Sequence, residues 1–244
     1  MNRILIWDFP TRLIHWLLAV SFTASLAIGF FVSDEEPLFA VHGILGLVAG
    51  LLVLFRIFWG FLGSKHARFS SFLFSPLDLY SYNREALGGK TARYAGHNPG
   101  SGYAAFSMLF LLTALVATGL LYRWEVFEEL HSFFAYTMLA VVFAHLVGVI
   151  VHTIKHKENI TFSMVSGYKD GDANEGIPAA KPLAGAVFLL LTCYWITSLF
   201  SNFDPRSRQT ILPFIGTSIQ LVKAEDKTKE HRGGKHGHHE EDDD

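Results

Sequence analysis

Long apolar runs alternate with short polar breaks along this chain, and five of the runs approach the ~20 residues that a helix needs to cross a bilayer. They extend from Leu13 to Val32, Leu38 to Gly63, Tyr103 to Tyr122, about Leu130 to Ile154, and Pro182 to Ser201. The second contains one Arg and the fifth no charge. The first is expected to be a permanent helix rather than a cleaved leader. It lacks a basic start followed by a small-residue cleavage site, and Phe30-Phe31-Val32 stays apolar where that site would lie. Between the runs, residues 64–101 are loop-like, with part expected along the membrane surface, and residues 165–181 read as a Gly/Asp-rich linker. Residues 209–222 are apolar but too short to span, and the closing HRGGKHGHHEEDDD is low-complexity and expected to be disordered. The reading is an all-α membrane protein, a four-helix transmembrane bundle plus a fifth transmembrane helix. Its expected divisions are 1–169, 170–201 for a linker and the fifth helix, and 202–244 for a polar His/Asp-rich tail.

Composition narrows the class. Half of the 244 residues are hydrophobic and 17% are charged, against ~25% in a soluble domain. A net charge of −2 leaves no basic excess for phosphates, so nucleic acid is not a partner. Cys193 is the only cysteine. It excludes a disulfide framework, a CxxCH haem attachment, a four-cysteine iron–sulfur cluster and a Cys-rich zinc site. Segments 1–12, 64–101 and 154–181 together carry eleven Lys/Arg, whereas 33–37 and 123–129 carry one, and the former include none of the acidic run Asp34-Glu35-Glu36. By the positive-inside rule the N-terminus is cytoplasmic, and five spans put the C-terminus outside.

Ionisable groups within a bilayer are costly, so each is a functional candidate. His15, His42, His131, His145 and His152 fall in or beside the spans. His131 and His145 are 14 residues apart, which is four turns, one face and ~21 Å of helix. With the orientation above, His42 and His131 lie at the outer depth and His15 and His145 at the inner depth. An imidazole on each side of a planar ring is what a six-coordinate haem iron needs. The pattern therefore predicts two haem b groups, with iron ligands paired His15/His145 and His42/His131.

The same 14-residue step from His15 reaches Gly29, a gap facing the outer haem. From His42 it reaches Arg56, a cation at the inner layer. Arg56 either meets a haem propionate or snorkels to the cytoplasmic surface. Gly43, Gly46 and Gly50 read as small-residue helix packing. His152, seven residues past His145, is read as a non-ligand that binds a propionate or shuttles protons, with replacement of His145 the alternative. His66, His97 and His156 read as loop or interfacial residues, and Trp16, Trp59 and Trp124 as interfacial anchors. The tail histidines His231, His236, His238 and His239 read as a solvated tail, with weak metal binding the alternative.

With these residues in place, the chain resembles the bacterial cytochrome b561 family, which includes the b-type cytochrome subunit of nickel–iron hydrogenases. The likeness covers about residues 6–169. It rests on Trp7-Asp8-Phe9-Pro10-Thr11-Arg12-Leu13-Ile14-His15-Trp16, on His42-Gly43-Ile44-Leu45-Gly46, on Gly96-His97-Asn98-Pro99, on His131 and His145, and on Glu158 to Lys169. The resemblance implies a four-helix dihaem cytochrome, each haem held by two histidines, that exchanges electrons with the quinone pool. The expected function is transmembrane electron transfer between quinone or quinol and a periplasmic partner, such as a c-type cytochrome. The alternative is a membrane-anchor subunit of a hydrogenase or other dehydrogenase. A metal-ion transporter is the rival of another class, opposed by the absence of Asp or Glu from the spans except at their rims.

Overall fold

The computed structural model describes residues 2–88, 92–122 and 124–222. The tail histidines fall outside them. Among the described residues five helices are long and apolar enough to cross a membrane: α1 (Phe9–Phe31), α2 (Phe39–Leu62), α4 (Pro99–Leu120), α5 (Glu125–His156) and α7 (Pro182–Ser201). The short helices α3 (Pro76–Leu87) and α6 (Ile160–Ser166) lie between them. Strands β1 (Asn2–Leu5) and β2 (Tyr168–Gly171) pair antiparallel, as do β3 (Gln209–Ile211) and β4 (Ser218–Gln220). The side holding β1 is called the near side, and the opposite side, where α1 turns into α2, the far side.

Local chemistry sets where the helices begin. Asp8 caps α1: its carboxylate accepts the Thr11 N–H at 2.9 Å, and Pro10 sits in the first turn. Asn98 and Ser101 form a reciprocal capping box at the head of α4, with Pro99 in its first turn. Ser75 and Asp78 do the same for α3, which occupies the stretch expected to lie along the membrane surface. α5 begins with Glu125 and Glu128 and ends with Lys155 and His156, signs that suit the helix dipole. Its 32 residues span ~48 Å, more than the ~30 Å hydrocarbon layer, so its ends project from the membrane.

Packing divides the bundle into two halves. α1 lies against α2, α4 against α5, and α2 against α4, while α7 packs on α1 and α2. One core lies within the first half and the other bridges the two. Ile44, Val48, Leu52 and Leu199 form one buried cluster, and Val53, Leu111, Leu115 and Met138 another. Phe188 of α7 stacks on Phe55 of α2 with centroids 4.6 Å apart. Among the described residues α5 packs chiefly on α4, with a smaller contact on α6, and its buried residues are Met138 and His152.

On the near side the tryptophan-rich opening of the chain acts as a clasp. Asp8 is fully buried and accepts Trp59 Nε1–H at 3.0 Å and the Ser64 N–H at 3.3 Å, joining the start of α1 to the end of α2. Trp7 Nε1–H donates to Ser163 Oγ, and Trp16 Nε1–H to the Met164 carbonyl. Trp59 is therefore a buried clasp residue and not the interfacial anchor its position suggested. Residues 168–171, read from composition as linker, are a strand because the β1 backbone offers them a ladder.

Candidate cofactor site

Two imidazoles face each other across the space between the halves. His42, in the first turn of α2, and His131, in the second turn of α5, have ring centroids 6.0 Å apart with planes inclined at 69°. Each ring is held through Nδ1. His42 Nδ1 lies 2.8 Å from the Ser25 carbonyl oxygen, with Ser25 Oγ at 3.1 Å. His131 Nδ1 lies 3.1 Å from the Leu115 carbonyl oxygen and 3.1 Å from Thr118 Oγ1. A carbonyl only accepts, so both Nδ1 atoms carry the proton and both Nε2 atoms keep a lone pair. This is the arrangement that orients a metal-ligating histidine and raises its basicity. An ion bound between two imidazole nitrogens at ~2.0–2.1 Å each, with ~1.1 Å from nitrogen to ring centre, puts the centroids about 6.3 Å apart. The observed separation fits an ion held between them.

A cavity of about 520 Å³ opens beside the pair. That is large enough to enclose a cofactor-sized molecule. Its lining is mostly apolar and includes Gly29, Gly46, Gly119 and Leu221, with Asp34 and Glu128 among its few charged groups. A Cβ on Gly29 would lie 3.2 Å from His42 Cε1 and Nδ1, and one on Gly119 would lie 3.4 Å from His131 Cε1. The two glycines thus give each imidazole room to stand beside its neighbouring helix. Gly46 meets nothing within 4 Å and faces the cavity, whereas Gly43 and Gly50 abut Leu221 and Val116, as small-residue packing requires. Among the described residues no three His, Cys, Asp or Glu side chains converge to hold a bare ion. A two-histidine site is complete only when the metal brings its own equatorial ligands, as a porphyrin does.

The second layer lies about four turns nearer the N-terminal side. His15 of α1 is within electrostatic reach of His145 of α5 and of Arg56 of α2. Arg56 is half-buried, with its guanidinium carbon 5.0 Å above the Phe69 ring and 5.7 Å from the Phe72 ring centre. Its Nη1 is buried with no hydrogen-bond partner, and Asp8 is its nearby anion. An aromatic loop carrying Phe69 and Phe72 thus lies over the guanidinium.

His97, a loop residue as its sequence position suggested, joins this layer. It lies just before the α4 cap, against Phe72 at 4.3 Å and Trp7 at 5.0 Å. Arg56, His145 and His15 all act on it electrostatically, and burial pushes its pKa down to about 3, so the ring is neutral. Its Nδ1 is buried and lacks a hydrogen bond. The signal that marked it was the string Gly96-His97-Asn98-Pro99, which places it at a helix start. His152 is also buried, with neither ring nitrogen hydrogen-bonded. Its neighbours are His156, with ring centroids 4.3 Å apart and planes inclined at 31°, and the charges of Lys169, Glu158 and Arg93, rather than His15. Glu158 bridges Arg93 at 3.5 Å and Lys169 at 3.8 Å.

Comparison with known proteins gives this geometry a family. The model for prokaryotic cytochrome b561 matches residues 6–167. A probable Ni/Fe-hydrogenase B-type cytochrome subunit of Cupriavidus necator is 23% identical over 212 residues, covering 67% of this chain and 86% of that protein. Proteins of the same name from Rhodobacter capsulatus and Bradyrhizobium diazoefficiens are 22% and 23% identical, covering 69% and 66% of this chain and 82% and 84% of theirs. No solved structure matches. The matched segment takes in α1, α2, α4 and α5, with His15, His42, His131 and His145 and the carbonyls that orient two of them, and the chain belongs to the prokaryotic cytochrome b561 family.

Proposed function

We propose that the chain carries electrons across a bacterial inner membrane through two haem b groups, one held by His42 and His131 and the other by His15 and His145. Family membership makes it a multi-pass membrane cytochrome that transfers electrons with haem b. The number of haems, their ligands, the quinone and the orientation are our reading. The observation that carries it is the 6.0 Å separation of His42 and His131, each with Nδ1 turned to a backbone carbonyl. The haem, when bound, supplies reversible one-electron chemistry at iron. The protein's part is to fix the ligands' tautomer, exclude water and balance charge. Arg56, with an unused buried N–H, is suited to a propionate of the near-side group. Gly29 keeps the far-side ring free of crowding. His152 lies with the Glu158 ion cluster and is assigned to charge balance or proton transfer rather than ligation.

The positive-inside pattern supports a cytoplasmic near side and a periplasmic far side. Quinone or quinol is the proposed lipid-borne reactant, and a periplasmic c-type cytochrome the proposed aqueous one. The relatives' name favours a second reading, in which the partner is a hydrogenase and this chain is its membrane subunit. A hydrogenase that copurifies with the tagged full chain would decide for it. The central test is haem content. Two haems per chain, extractable by acid acetone, are expected. His42→Ala and His131→Ala should each lose one of them and His15→Ala and His145→Ala the other. Loss of the same haem in His15→Ala and His131→Ala would overturn the pairing.

A further inference from the structure

The far-side cavity has a wall that the matched family segment does not supply. Ile219, Gln220, Leu221 and Val222, all beyond residue 167, line it together with His42. Leu221 and Val222 are buried in one cluster with Ala40, Ile44 and Leu199. The contact with α2 falls one residue from His42, since a Cβ on Gly43 would lie 3.1–3.2 Å from Leu221 atoms. A side chain at 43 would push the wall away, so the glycine permits the close approach.

What holds the wall is a set of directed bonds converging on one residue. The Arg208 guanidinium donates to the Asp34 carbonyl at 3.0 Å and to the Glu35 carbonyl, in the turn between α1 and α2. Its own carbonyl accepts the Leu221 N–H at 2.9 Å. Arg208 therefore ties the wall residue Leu221 to the mouth of the cavity, where Asp34 also stands. Its backbone has φ of 52°, a left-handed conformation that a non-glycine residue keeps only when its surroundings impose it. Gln220 is fixed as well, accepting from Gln209 at 2.8 Å and donating to the Ser207 carbonyl at 2.9 Å. Thr210, almost wholly buried, donates to the Leu199 carbonyl at the end of α7. α7 thus delivers the hairpin to the cavity.

We propose that residues 203–222 are a built-in wall of the far-side cofactor cavity and that Arg208 is its latch, a positioning residue that keeps water and aqueous reductants from the His42 flank. The role rests on the dihaem reading above. With this flank sealed, electron exchange on the far side is confined to the mouth bordered by Asp34 and Glu128. Burial and solvent access are among the levers by which a protein sets a haem's potential.

The test uses the full chain in lipid nanodiscs and compares wild type with Arg208→Ala, Arg208→Lys and Leu221→Ala. Three quantities are read: amide exchange over 209–221, the rate of reduction of the far-side haem by dithionite, and that haem's midpoint potential. Arg208→Ala should accelerate exchange and reduction severalfold and shift the far-side potential alone. Arg208→Lys should recover part of each, because a lysine reaches one carbonyl. Leu221→Ala, which keeps the latch but thins the wall, should speed reduction, and it carries the test if Arg208→Ala does not accumulate. Faster exchange with unchanged reduction and potential would overturn the proposal, leaving the hairpin as structure only. Unchanged exchange in Arg208→Ala would overturn the latch. If wild type bound no haem at His42 and His131, the dihaem reading would fail, while the exchange arm would still judge the latch.

Discussion

Replacing Arg56 by glutamine removes a cation from the near-side layer while keeping a polar side chain of similar reach. The guanidinium lies over Phe69 and Phe72, within electrostatic reach of His15 and Asp8, and leaves Nη1 buried without a partner. A bound propionate would complete it. An added electron on the iron is favoured by a fixed positive charge nearby. For a cation ~8–10 Å from the iron, at an effective dielectric constant of ~20, the interaction is about 2 kcal/mol. At ~1.4 kcal/mol per ~59 mV for one electron, that is about 80 mV. Asp8 offsets part of the field, so Arg56→Gln should lower the near-side midpoint potential by about 40–80 mV. Arg56→Lys should lower it less, since it keeps the charge and loses the stacking and the two-pronged geometry. A spectroelectrochemical titration of the full chain resolves the two haems. If neither potential moves in Arg56→Gln, or the far-side haem moves more, the propionate reading of Arg56 is wrong.

Three further outcomes follow from the geometry. Gly29→Leu should displace or strain the far-side haem and leave the near-side one bound, because even a Cβ there lies 3.2 Å from the His42 ring; unchanged spectra and potentials for both would refute it. Asp8→Ala strands the Trp59, Ser64 and Thr11 N–H groups that the buried carboxylate now accepts, and should cost about 3 kcal/mol of stability, read as a lower thermal midpoint in detergent. Removing the haems should accelerate amide exchange in α5 more than in α1, α2 and α7, and equal protection in both halves would count against haem as the bridge between them.

The spans were legible because a bilayer tolerates few alternatives to a continuous apolar helix. The fifth was read as Pro182 to Ser201, which is where α7 lies, and the second differs from α2 by one residue at each end. The approach of His42 to His131, at 6.0 Å, was legible for the same reason, since 14 residues on a rigid helix fix both face and depth. What the sequence hid is carried by backbone groups and distant partners. The Ser25 and Leu115 carbonyls that orient His42 and His131 have no side-chain signature. The pairing of Asn2 with Gly171, and of Asp8 with Trp59, joins residues that no local pattern connects. Helix α3 did carry a signal, Ser75-Pro76 with Asp78 three residues on, but its polar composition masked it among loop residues. Residues 209–222 were correctly too short to span. Their pairing and their place against Gly43 depend on the helix that delivers them.

On the proposed dihaem reading, the division of the bundle explains why both ligand pairs draw on α5. A helix packed fully on two neighbours has no space for a planar cofactor beside it, and one packed on none has no fixed position. α5 is held along one side by α4 through Met138 and Leu111, and its other inward face is left to side chains that reach across. His131 lies 6.0 Å from His42 across this gap, and Tyr136 lies 5.5 Å from Phe30 of α1. Imidazoles 14 residues apart on this helix put the two layers ~21 Å apart, close enough to act in series and far enough to have separate surroundings. Those surroundings differ. The near layer has Arg56 and two further neutralised or unpartnered imidazoles, His97 and His152, close to its polar rim. The far layer has two carboxylates at its mouth and no Lys or Arg among its described lining residues. On that reading one helix sets the spacing of the sites, while the α7 hairpin, which lines the far-side cavity, and the aromatic loop over Arg56 set their potentials independently.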